Sequence, residues 1–87
     1  MASSDWVPKK DAGNQGKHGL SFLKSQYAFA DPRRVIAGDI IYRTAREERY
    51  FCFGDLGDGI VTVRFTWRKH IIRILGPAFW TTGSAKA

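Results

Sequence analysis

The chain has 87 residues, 14 of them lysine or arginine against 8 acids, which leaves a formal net charge of +6. That length holds one domain, spanning residues 1–87, because a second core and a linker need more chain. With 44% hydrophobic and 14% aromatic residues the chain is too apolar to be disordered, and its basic balance favours a polyanionic partner.

The lone Cys52 can form neither an internal disulfide nor a cysteine-based zinc site, which points to a reducing compartment. No apolar run approaches the ~20 residues of a membrane span, and the opening Met-Ala-Ser-Ser-Asp-Trp lacks the basic flank and apolar run of a secretory leader. The expectation is a cytoplasmic protein.

In chain order, Pro8 to His18 predicts a helix, with proline in the first turn and Gly19 as the stop. A second helix is expected from an N-capping Ser21, with apolar Phe22, Leu23, Tyr27 and Phe29 near helical spacing, ending at Asp31-Pro32. Residues 35–43, including Val35, Ile36, Ile40, Ile41 and Tyr42, hold one strand or two, and Tyr50-Phe51-Cys52-Phe53 another. Residues 55–59 compose a hairpin loop. In residues 60–68 the apolar set Val61, Val63, Phe65, Trp67 alternates strictly with Thr62, Arg64, Thr66, Arg68, so one face packs on a core and the other meets water or a ligand. A last strand, residues 71–75, is expected to end at Gly76-Pro77, with residues 81–87 a frayed tail. The fold class is α+β: two N-terminal helices packed on an antiparallel β-sheet meander.

The solvent side of residues 60–68 is the strongest chemical feature. Arg64 and Arg68 stand about 13 Å apart on one face, Arg73 joins them if the register permits, and Thr62 and Thr66 add hydroxyls between the charges. Such a row suits phosphates; the plain alternative is an ordinary solvated strand. Lys17-His18 closes the first helix, where the dipole alone favours cations, yet a histidine among cations also serves as a proton-transfer group. Glu47 and Glu48 lie among Arg43, Arg46 and Arg49, either as a surface ion-pair cluster or as a general base oriented by arginines. Phe79-Trp80 is core packing or a base-stacking platform. No phosphate-binding glycine loop, zinc-protease motif or calcium loop is present. Cutting RNA needs only a base, cations on the phosphate and an acid, with no cofactor and no metal, and the chain contains all three kinds of group.

The order of these pieces resembles the BrnT family of bacterial type II toxins, ribonucleases similar in fold to RelE. The resemblance runs through Trp6-x-Pro8-x-Lys10, Asn14-x-x-Lys17-His18-Gly19-Leu20-Ser21-Phe22 and Phe29-x-Asp31-Pro32. It continues through Glu47-Glu48-Arg49-Tyr50, residues 59–68 and Ile72-Arg73-Ile74-Leu75-Gly76. It implies a metal-independent RNA-cleaving hydrolase neutralised by a BrnA-like antitoxin with a ribbon-helix-helix DNA-binding domain, as a homodimer or a toxin–antitoxin heterotetramer. Carried over position by position, it implies a catalytic set of Lys17, His18, Glu48, Arg64, Arg68 and Arg73. Glu48 or His18 would be the base, Arg64 and Arg73 phosphate clamps, and Arg68 a donor to the leaving group. Thr62, Thr66, Lys69 and Trp80 are expected to contact RNA. Val7 stands where the family commonly has an aspartate, and Thr-Thr-Gly-Ser-Ala-Lys-Ala ends the chain where the family continues into a charged helix. The reading from another class is a non-catalytic basic module that uses the same sheet face to bind RNA, DNA or an acidic protein.

Overall fold

A computed structural model describes residues 4–39 and 47–81. Strand β1 (Ser4–Trp6) leads into helix α1 (Pro8–His18), a short helix α2 (Phe22–Ser25) and a 3-10 turn (Gln26–Ala30). Strands β2 (Val35–Gly38), β3 (Tyr50–Asp55), β4 (Ile60–Arg68) and β5 (Ile71–Trp80) follow. They form a five-stranded sheet in the order β1-β5-β4-β3-β2.

Helix α1 has the predicted limits. Pro8 occupies the first turn, where its missing N–H costs nothing, and Gly19 turns left-handed at φ 64° so that its N–H reaches the Gln15 carbonyl at 2.9 Å. Ser21 caps α2 as expected, its hydroxyl accepting the Lys24 N–H at 3.0 Å. The second helical segment then tightens into the 3-10 turn and stops before Asp31.

The structure revises the expected meander in three places. Strand β1 precedes both helices and pairs in parallel with β5, so the sheet is mixed. Strand β5 does not end at Gly76-Pro77 but runs on to Trp80. Between the pairs Val63↔Ala78 and Phe65↔Ile74, Leu75, Gly76 and Pro77 stand opposite Arg64 alone. Such a bulge tolerates a residue with no N–H to donate, and Gly76 takes up the turn at φ 76°. Finally, Trp67 is 47% exposed instead of buried; it lies near the far end of β4, opposite Ile72 and edge-to-face with Phe65. Of the expected strand 35–43, β2 accounts for the start; Ile40, Ile41, Tyr42, Arg43 and Arg46 lie outside the described residues, as does the tail from 82.

The core fills the space between the helices and one face of the sheet. Phe22, Phe65, Val61, Val63, Ile74, Cys52 and Ala78 are essentially inaccessible, and full burial of each larger side chain contributes about 1.5–3 kcal/mol. Gly54 sits where any Cβ would collide with the Ala28 carbonyl and Cα, which lets the 3-10 turn lie directly on β3. Asn14 ties α1 to β5 beyond the bulge. Its buried amide nitrogen donates to the carbonyls of Leu20 and Ala78, both at 2.8 Å, and its oxygen accepts the Ala78 N–H at 2.9 Å.

Candidate nucleic-acid interface

Register decides what the opposite face of the sheet carries. Strand β4 is regular against β3, so Thr62, Arg64, Thr66 and Arg68 all point away from the core. Arg73 pairs with Thr66 and therefore stands on that same side between Arg64 and Arg68. Phe53 and Phe79 flank Thr62 from the two neighbouring strands, and Phe51 pairs with Arg64. Three arginines and three phenylalanines thus share one face, a mixture of cations and ring surfaces that suits single-stranded nucleic acid.

Each arginine in this row is held by a carboxylate. Arg64 Nε meets Asp39 at 3.0 Å in a pair whose side chains are only 15% and 6% exposed, so removing one partner strands the other in a poorly solvated place. Arg68 reaches Glu47 at 3.2 Å and Arg73 reaches Asp5 at 3.3 Å, both in more open settings. Glu47 is also held by Arg49 Nε at 3.2 Å. Burial would raise the Glu47 carboxyl, but the hydrogen bonds from Arg68 and Arg49 outweigh it and hold the group below its ordinary value. Glu47 is therefore an orienting anion and a poor proton acceptor at neutral pH.

Glu48 lies elsewhere. Its exposed carboxylate accepts the Tyr50 hydroxyl at 2.7 Å, and Tyr50 pairs with Phe65 on the core side of the sheet. That bond, with some burial, raises the Tyr50 phenol above its ordinary value. Of the adjacent acids, Glu47 serves the arginine face and Glu48 the opposite rim.

The threonines of the row are sheltered. Thr62 and Thr66 are 3% and 2% exposed, because Thr62 is sheltered between two phenylalanines and Thr66 lies beside Arg73. The Thr66 hydroxyl donates to the Glu48 carbonyl at 2.7 Å, and Thr62 and Thr81 share a short hydroxyl contact. Both hydroxyls thus have a partner within the chain. Trp80 pairs with Val61 on the core side and lies under the Lys24 ammonium, 5.2 Å from the ring centroid, so Phe79 replaces it as the ring on the arginine face. Lys69 and His70 form the tight β4–β5 turn, both left-handed at φ 49° and 71°.

Lys17 and His18 end α1 on the exposed surface. The His18 ring packs on Phe79 with centroids 5.7 Å apart, which brings the imidazole to the β5 side of the arginine face. Lys17 and His18 also border an open depression of about 480 Å³ beside the bulge. Cys52 is no nucleophile here: burial pushes its thiol up to about 11.

The architecture defines a small basic α+β domain with arginines and aromatic rings on one open sheet face and a Lys-His pair at its edge. The family model described as ribonuclease toxin, BrnT, of type II toxin–antitoxin systems matches residues 6–76, and the chain belongs to that family. RNA is thus its target class and an antitoxin its partner class. No curated protein matches the chain significantly. Among the described residues no helix is long and apolar enough to cross a membrane.

Proposed function

We propose that the chain, acting as one domain over residues 1–87, cleaves single-stranded RNA without a metal ion on the arginine face of the sheet. The observation that carries this reading is the register that sets Arg73 between Arg64 and Arg68, with Phe51, Phe53 and Phe79 beside them. The scissile phosphate takes the place of the surface carboxylate on Arg73 and a neighbouring phosphate that on Arg68, whose pairs with Asp5 and Glu47 are partly solvated and cheap to exchange. Arg64, fixed by Asp39, supplies a standing positive charge behind them.

His18 is the better supported base, since its contact with Phe79 brings it to this face, whereas the Glu48 carboxylate is turned to Tyr50. Imidazole is also the side-chain type that exchanges protons near neutral pH. It takes the proton of the ribose 2′-hydroxyl as the 2′-oxygen bonds to phosphorus. The bond from phosphorus to the 5′-oxygen breaks and solvent gives that oxygen its proton, while Arg68, further along β4 and opposite Ile71, holds a neighbouring phosphate of the strand. The products are a 2′,3′-cyclic phosphate and a 5′-hydroxyl end. The partner in this account is a ribbon-helix-helix antitoxin of the BrnA kind, which covers the basic face.

Turnover and RNA affinity in His18→Ala and Arg73→Ala test the assignment. Removal of the base should lower kcat by about 10²–10⁴-fold with RNA affinity nearly unchanged, while Arg73→Ala should weaken both. Activity within threefold of the parent in both variants would refute it. Binding without turnover in the parent would establish the non-catalytic module instead.

A further inference from the structure

We propose that the depression between α1 and the β5 bulge is a nucleotide subsite, taking one nucleotide of a single-stranded RNA with its phosphate on Lys10 and Lys17 and its base against Leu75 and Pro77. The inference rests on the RNA reading above and adds to it a second place of contact, off the sheet.

The depression, about 480 Å³ in volume, is bordered by Lys10, Lys17 and His18 on α1, and by Leu75 and Pro77 on the bulge. That volume is in the range of small-ligand sites. Positions 10, 14 and 17 fall on one side of a helix, so both ammonium groups overhang the same hollow, their Cα atoms about 10 Å apart along the axis. The Asn14 amide between them is spent on Leu20 and Ala78, which makes it a wall of the site and leaves recognition to the lysines.

The charge pattern sets these lysines apart from the arginines of the sheet face. The arginines of the sheet face are matched by carboxylates, whereas among the described residues neither Lys10 nor Lys17 has an ion-pair partner. Helix stability does not account for Lys10: it lies in the first turn of α1, where the macrodipole disfavours a cation. Unpaired cations over an apolar wall suit a ligand with an anionic part and a flat, weakly polar part, and a nucleotide is such a ligand. Continuity completes the case. His18 borders the depression and packs on Phe79, the ring that stands on the arginine face, so a strand crossing that face past Phe79 arrives at the hollow.

The test uses the full chain and a fluorescent 2′-O-methyl oligoribonucleotide, which cannot undergo 2′-hydroxyl attack, so binding is read apart from cleavage. In the double variant Lys10→Ala/Lys17→Ala, affinity at low salt should fall at least tenfold. The slope of log affinity against log salt should become shallower by about 0.7, the value for the one phosphate that the two lysines share. Lys10→Arg/Lys17→Arg should restore most of both. Uridine 5′-monophosphate should shift the amide resonances of Gly13 and Gly76 in the parent and not in the alanine variant. Affinity within twofold and an unchanged slope in the alanine variant would overturn the subsite. So would a lysine-dependent affinity for a polyglutamate peptide with none for the oligonucleotide, which would make the hollow a protein contact. If the parent binds through the lysines but never cuts RNA, the subsite stands and the nuclease reading falls; if it cuts RNA while binding ignores the lysines, the reverse holds.

Discussion

Asn14 is 7% exposed and makes its three hydrogen bonds at 2.8–2.9 Å, two of them to a residue 64 positions away. Asn14→Ala strands the Ala78 N–H, at a cost of about 1–3 kcal/mol, and takes one donor each from the Leu20 and Ala78 carbonyls. Carbonyls, with two lone pairs, bear such a loss more cheaply, so the total is about 3 kcal/mol. A domain of this size has about 4–13 kcal/mol of stability, and a loss of that size lowers Tm by about 12–24 °C. Urea denaturation followed by tryptophan fluorescence should show a lower midpoint with an unchanged m-value. A variant within about 0.5 kcal/mol of the parent would refute the reasoning, because solvent would then be replacing the amide. Asn14→Asp sharpens the test, since a carboxylate there faces two carbonyl oxygens. Its folded-state pKa would lie above the unfolded value of about 3.9. Its contribution is therefore retained below that pH and lost as pH rises through the folded value, so the deficit relative to the parent should grow from acid toward neutral pH.

Three further outcomes follow from the geometry. His70→Gly relieves a left-handed residue in the β4–β5 turn and should raise stability by about 1 kcal/mol; a lower Tm would contradict this. Gly54→Ala drives a Cβ into Ala28 and should cost about 1–3 kcal/mol, read as a fall in the urea midpoint. The Asp31 carboxylate accepts the N–H groups of Asp55 and Arg33, which lowers it below its ordinary value of 3.8. Its contribution is present above that value and lost as pH falls through the lower, folded one, so Asp31→Asn should flatten the acid limb of the stability profile.

Local signals made α1, Gly19, the Ser21 cap and the alternation of β4 legible in the sequence, since each is decided by residues a few positions apart. Other features depended on distant partners. Strand β1 has only three residues and exists through its pairing with β5. Gly76-Pro77 reads as a strand end, and only opposite Arg64 does it become a bulge that restores the ladder at Ala78. Without that register Phe79 and Trp80 could not be told apart, and the structure puts them on opposite faces. Glu47 and Glu48 posed the same difficulty, because neighbours diverge and the choice of face is set by Arg68 and Tyr50. The burial of Thr62 likewise comes from its cross-strand neighbours Phe53 and Phe79.

The most direct test of the account is incubation of the purified chain, free of antitoxin, with labelled RNA in EDTA, followed by analysis of the new ends. Cleavage that persists in EDTA, leaves 2′,3′-cyclic phosphate and 5′-hydroxyl ends and disappears in His18→Ala and Arg73→Ala is the predicted result. Intact RNA with a folded protein, or cleavage that returns only with added metal, would contradict it.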